Sequence, residues 1–297
     1  MGAMDSGPDE STLSTFTASD GDNIAVQDWP LDEDVPVRGV VILVHGLGEH
    51  AGRYRRLARR LNRWGYAVRG YDQYGHGESG GIRGGLPGDS RLVDDLADLV
   101  DSTRMRYGDA VPLVVLGHSM GGLVAAVYAA QVPAAIQGLV LSSPALDPGL
   151  SGFQKFLLRF MPKLAPNLAV ANGLDPDFIC RDPQVVQAYR RDPLVHNRIT
   201  GRLARFIAER GPWVLLRAAQ WKVPTLLMYA GDDHLVNPAG SEAFAEASPR
   251  DRVTVRRFDG MFHEIFNEPD SDPVYALLRQ WLDARFAAAS ATPAPPP

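Results

Sequence analysis

Apolar residues fall along this chain in two alternating rhythms. Gly39-Val40-Val41-Ile42-Leu43-Val44 is an unbroken β-branched run, as in a strand buried on both faces. Tyr66 to Tyr71, Pro112 to Leu116, Gly138 to Ser143, Thr225 to Ala230 and Arg252 to Phe258 read as further strands. Between them the apolar spacing becomes helical. A helix from about Tyr54 carries Leu57, Leu61 and Trp64 on one face and stops at Gly65. A helix from Ser90 to Tyr107 places Leu92, Leu96, Leu99 and Val100 inside, with Asp94, Asp95, Asp98 and Asp101 on its solvated side. A last helix spans Pro273 to Phe286, and Leu13 to Thr17 with Asn23 to Trp29 reads as a leading hairpin. Strands alternating with helices predict an α/β fold, a mostly parallel sheet wrapped on both faces.

The alternation breaks once. Between Ser143 and Thr225 no core strand is visible, only helical pieces at Phe153 to Leu164, Gln184 to Tyr189 and Thr200 to Arg217. An insertion after a parallel strand stands at the carboxyl end of the sheet, where open α/β sheets bind ligands. The expected organisation is therefore a core of residues 13–146 and 222–287, with a mainly helical cap over residues 147–221 inserted before the last two strands. Residues 1–12 are expected to be flexible, and the Pro/Ala-rich tail 288–297 disordered.

Composition narrows the function. With 45% hydrophobic and 22% charged residues, the 297-residue chain can bury a large core, and its net charge of −5 gives nucleic acid no basic face. The single cysteine, Cys180, excludes an internal disulfide, suits a reducing compartment and reads as a small buried hydrophobe. No stretch is long and apolar enough for a span, and no secretory signal is visible, so a cytoplasmic location is expected. Neither a dinucleotide glycine fingerprint nor a P-loop occurs, and no cofactor or metal site is expected.

The chemistry gathers at Gly117-His118-Ser119-Met120-Gly121, where an apolar strand meets a run of small residues. A strand–turn–helix this tight leaves a serine hydroxyl exposed at its apex, and the glycines stand where a Cβ would collide. A serine needs a base, and the base an orienter. In α/β-hydrolases these follow in the order serine, acid, histidine, on loops after late strands. The loop after Thr225 to Ala230 holds Asp232 and Asp233; Asp233 is favoured because Leu235-Val236 after it fits the turn. The loop after Arg252 to Phe258 holds His263, the candidate base. His118 is expected to turn away from the serine oxygen, His45 to sit beneath the loop that follows the first parallel strand, and His76 to brace its own glycine-rich loop. His234 falls in the acid's loop and His196 in the cap. In His45-Gly46-Leu47-Gly48 the flanking glycines let the Leu47 amide face the pocket, so Leu47 and Met120 N–H groups form the expected oxyanion hole.

Together these residues resemble the monoacylglycerol lipases of the α/β-hydrolase superfamily, the bacterial ones in particular. The resemblance rests on His45 to His50, Arg53-Tyr54, Asp72 with Gly75 to Ser79, Gly117 to Gly122, and Ser142-Ser143-Pro144. It continues through Arg181-Asp182-Pro183, Tyr189, Asp192 to Val195, Asp233 and Gly260 to Glu268, covering about Ser14 to Phe286 with the cap included. It implies metal-free hydrolysis of monoacylglycerol to fatty acid and glycerol, with Glu49, Arg53 and Tyr189 at the glycerol end. Phe266 stands where some members carry a second histidine, a departure that bears on the reading of glycerol hydroxyls and not on catalysis. In the cap, Phe153, Phe156, Leu157, Phe160, Met161 and Leu164 share one helical face flanked by Lys155, Arg159 and Lys163, a pattern suited to transient contact with a membrane surface. A broader carboxylesterase or a lysophospholipase would use the same elbow. A non-catalytic hydrolase-fold binding module has no need of so complete a set.

Overall fold

The computed structural model describes residues 11–18, 21–32, 34–147, 149 and 165–286. The segment 153–164 and both chain ends therefore lie outside the described residues. Among those described, an eight-stranded sheet runs in the order β1-β2-β4-β3-β5-β6-β9-β10. Its strands are β1 (Thr12–Thr17), β2 (Asn23–Trp29), β3 (Gly39–Val44), β4 (Tyr66–Tyr71), β5 (Leu113–His118), β6 (Gly138–Ser142), β9 (Thr225–Ala230) and β10 (Val253–Phe258). From β4 to β10 neighbouring strands are parallel, and β1 and β2 add an antiparallel edge. The expected doubly covered sheet is thus present.

Both faces are buried because successive side chains on each inner strand point opposite ways. Val40, Ile42, Val44 and Val115 face one cluster, with the apolar sides of α2 (Arg91–Tyr107) and α3 (Met120–Gln131). Val41, Leu43, Val114 and Leu116 face the other, against α1 (Arg55–Arg63) and α7 (Asp272–Arg285). The acidic face of α2 departs from expectation at one position: Asp95 is buried and pairs with Arg91 at 2.6 Å. Burial pushes its carboxyl up to about 6, and Arg91 only partly opposes this.

Between β6 and β9 the chain leaves the sheet. It forms a small antiparallel ribbon of β7 (Ala169–Ala171) and β8 (Arg198–Thr200), then α4 (Pro183–Arg191) before β8 and α5 (Gly201–Leu215) after it. Backbone bonds tie this excursion to core loops at several points. His196 N–H donates to Gly48 O at 2.9 Å, Thr200 N–H to Gly84 O at 2.8 Å, and Glu264 N–H to Ile179 O at 2.8 Å. A further helix, α6 (Pro238–Ala247), lies between β9 and β10, where no helix was expected. The signal for it was present in Asn237-Pro238: the Asn237 side chain caps the Ala239 amide, and proline takes the first helical position.

Candidate active site

The site is assembled at the carboxyl ends of β3, β5, β9 and β10. Ser119 joins β5 to α3 with φ 54°, a left-handed conformation that a non-glycine residue adopts only where its surroundings enforce it. The surroundings are close. A Cβ on Gly121 would strike the carbonyl oxygens of Val44 and His45, and one on Gly117 the carbonyl of Gly121. Hydrogen bonds hold the apex from both sides: Ser119 N–H donates to Ser142 O at 3.0 Å, and Ser119 O accepts from Leu123 and Ala145. The serine is half-buried on the wall of a cavity of about 600 Å³.

His263, after β10, lines the same cavity. Its Nδ1 lies 2.7 Å from Asp233 Oδ2, and both side chains are buried. The other carboxylate oxygen of Asp233 accepts the N–H groups of Leu235 and Val236, each at 2.9 Å. Those two bonds fix the carboxylate in the turn after β9. Burial is the largest influence and disfavours charge on both partners, but the partner's charge, the hydrogen bond between them and further neighbours together outweigh it. Asp233 is held below the usual carboxylate range and His263 above the usual histidine value. Of the two candidate acids, only Asp233 meets the histidine; Asp232 is exposed and faces His234 at 3.2 Å.

The loop after β3 passes beside the elbow. Leu47 lines the cavity between Gly46 and Gly48, Gly48 has φ 78°, and Met120 opens α3. His45 is buried beneath this loop as expected, with Nε2 accepting the Gln73 amide at 2.9 Å. Asp72 braces two neighbouring loops, accepting Ala51 N–H and Glu78 N–H at 2.8 Å each. His76 is buried with Nδ1 2.9 Å from Tyr74 O. His118 is buried at the end of β5. It lines the cavity, with its ring centroid 4.6 Å from that of His263 and Nδ1 3.1 Å from Ser142 O. Burial first and His263 second push its pKa down to about 4, so it stays neutral beside His263.

Glu49, Arg53 and Tyr189 are brought together, but Arg53 is turned inward. Its guanidinium pairs with Glu49 and, bidentately, with Glu264, and lies 4.6 Å from the Tyr189 ring centroid. Glu49 and Tyr189 line the main cavity, whereas Arg53 lines a smaller one behind it. Arg53 and its neighbours hold the Glu49 carboxyl down at about 2 against the cost of burial. Glu264 is the member that local motifs did not reveal, because its partner lies 211 residues away. Phe266 is buried in the core. Cys180 is buried as expected, and burial pushes its thiol up to about 12.

A parallel sheet with a strained serine at a strand–helix elbow, facing a histidine–aspartate pair on late loops, defines an α/β-hydrolase. Residues 35–270 match the family described as serine aminopeptidase, S33. The chain is 36% identical to the monoacylglycerol lipase of Mycolicibacterium smegmatis over 90% of its own length and 95% of that protein's. It is 32% identical to a phospholipase of Bacillus subtilis, over 86% and 98% of the two chains. The crystal structure of Paleococcus ferrophilus monoacylglycerol lipase superposes with a TM-score of 0.80 at 33% identity, covering 88% of this chain and 99% of that one. The chain belongs to this hydrolase family and, within it, to the monoacylglycerol lipases.

Proposed function

We propose that the protein hydrolyses monoacylglycerol esters to fatty acid and glycerol through an acyl-enzyme. The observation that carries the chemistry is the 2.7 Å contact of His263 Nδ1 with Asp233, across the cavity wall from the strained Ser119. Held by Asp233, the imidazole keeps its Nε2 free to take the Ser119 proton as the oxygen attacks the ester carbon. The proton then passes to the departing glycerol oxygen, and a water repeats the sequence on the acyl-enzyme. Leu47 and Met120 amides receive the oxyanion, and each such donor stabilises the transition state by roughly 3–4 kcal/mol.

Residues 147–221 act as the cap in this reading. Leu174, Pro176, Ile179 and Val195 supply apolar wall opposite Ser119, together with Leu235 and Val236 from the core. Glu49 and Tyr189 face the alcohol end, with Arg53 behind them. Segment 153–164 makes transient contact with the lipid surface that supplies substrate.

The test is a panel of monoacyl-, diacyl- and triacylglycerols, lysophospholipids and an aminoacyl p-nitroanilide, run on wild type and Ser119→Ala. Hydrolysis of the monoacyl esters above the others, abolished together with fluorophosphonate labelling in the variant, is expected. A stronger preference for lysophospholipid or anilide, or labelling undiminished in Ser119→Ala, overturns the reading.

A further inference from the structure

Glu264 follows His263 directly in the chain, and its carboxylate takes both arms of one guanidinium. Arg53 Nη1 donates to Oε1 at 2.7 Å and Nη2 to Oε2 at 2.8 Å. Arg53 also donates to Glu49 Oε2. The other oxygen of Glu49 receives the Gly46 N–H at 2.6 Å and the Tyr54 hydroxyl at 2.7 Å. A continuous path therefore runs from the loop of His263, through Glu264, Arg53 and Glu49, to the peptide that precedes Leu47. Every side chain on it is largely buried: Arg53 is 11% exposed, Glu49 5% and Glu264 7%.

The geometry is restrictive. A planar fork meeting a planar carboxylate fixes both distance and angle. Gly46 N–H is held by Glu49, one residue before the Leu47 amide. We propose that Glu264 is a positioning residue that acts through Arg53 and Glu49 to hold the Leu47 oxyanion amide in register with the His263 imidazole. The proposal rests on the reading of Ser119 and His263 given above, and gives Arg53 a task other than touching glycerol.

Charge points the same way. The groups that face His263 are Asp233 from the turn after β9, His118 from the end of β5, Glu49 from the loop after β3, and Glu264 itself. Burial opposes charge on the ring; Asp233 acts most strongly against that penalty, and Glu264 and Glu49 add to it. Two carboxylates share the single positive charge of Arg53, so their surplus faces the imidazolium as it forms. Loss of Glu264 leaves the Arg53 charge less compensated and makes the imidazolium harder to form.

The experiment is steady-state hydrolysis of a short-chain p-nitrophenyl ester by the full chain, as wild type, Glu264→Gln, Arg53→Met and the double variant. Glu264→Gln is expected to lower kcat roughly tenfold to a hundredfold, the scale of a misplaced catalytic group, with KM within about twofold. The acid limb of its pH profile is expected to move to lower pH. The double variant is expected to be no slower than Arg53→Met alone, because the two residues act as one link. Should Glu264→Gln fail to fold by circular dichroism, Glu49→Gln breaks the same path at its other end and carries the same expectations. Additive losses, an effect on KM alone, an unmoved acid limb or full kcat would overturn the proposal. Inactive wild type, or activity retained in Ser119→Ala, would instead remove the hydrolase reading beneath it.

Discussion

Asp233 and His263 show how much one contact decides. Each is buried where its charge is costly, and the other is the strongest of the neighbours that oppose this cost. In the proposed mechanism His263 must be neutral to accept the Ser119 proton, and its pKa is raised. Activity should therefore fall as pH drops through a value above the ordinary 6.5 of histidine. Asp233→Asn removes the charge that holds the proton on Nδ1, so kcat should drop roughly ten-thousandfold. The acid limb that remains should lie at lower pH, because burial then acts on His263 with less opposition. A pH–rate profile of both proteins checks this; an acid limb at the same pH in the variant would show that Asp233 does not tune the base. The sequence offered two aspartates for this task, and turn chemistry alone favoured Asp233. What separates them physically is that the Leu235 and Val236 amides aim Asp233 inward, whereas Asp232 stays in solvent beside His234.

At the level of elements, the elbow works because α3 lies almost on the sheet. Gly121 packs against the carbonyl of Val44, which ends the central strand β3, and that of His45, the next residue, and backbone atoms there have little room to yield. Gly121→Ala should destabilise the fold by roughly 3 kcal/mol and abolish activity. Gly88→Ala, at a position with open space around it, should stay within roughly 0.5 kcal/mol. Urea unfolding of the two variants makes the comparison, and equal stabilities would refute close packing as the reason for glycine. The strands and α1, α2 and α7 were legible because a doubly buried sheet writes continuous apolar runs, and its covering helices write one-sided ones. Asp95 was not legible. Helical periodicity put it with its acidic neighbours, and only the return of Arg91 across one turn made its burial tolerable.

For the whole molecule, the decisive relation is between the sheet and the excursion above it. No helix among the described residues is long and apolar enough to cross a membrane. In the reading proposed above, the acyl substrate resides in lipid and the protein reaches it at a surface. The apolar face of 153–164 with its lysines supplies that contact in the reading above. Full-length protein should float with anionic vesicles, and less so in high salt or as Lys155→Glu with Lys163→Glu. Absence of flotation, with activity on micellar monoacylglycerol intact, would count against the contact. On the described side the excursion is anchored beside the candidate site. Ile179 O holds the Glu264 amide, and buried Glu268 takes the Arg181 amide at 2.9 Å. The wall of the pocket is thereby tied to the loop that carries His263.

Taken by itself, the sequence determined the alternating sheet, the elbow at Ser119, the order of serine, acid and histidine, and the place of the insertion. These are local or periodic properties, since burial on two faces, a turn too tight for a Cβ and a loop after each strand leave marks within a few residues. Tertiary structure decided what depends on distant segments meeting. It chose Asp233 as the partner of His263, set His118 at a tilt beside that ring, and joined Arg53 to Glu264 across 211 residues. No window along the chain contains such a pair. Buried charges find their partners only once the sheet has brought its loops to one edge.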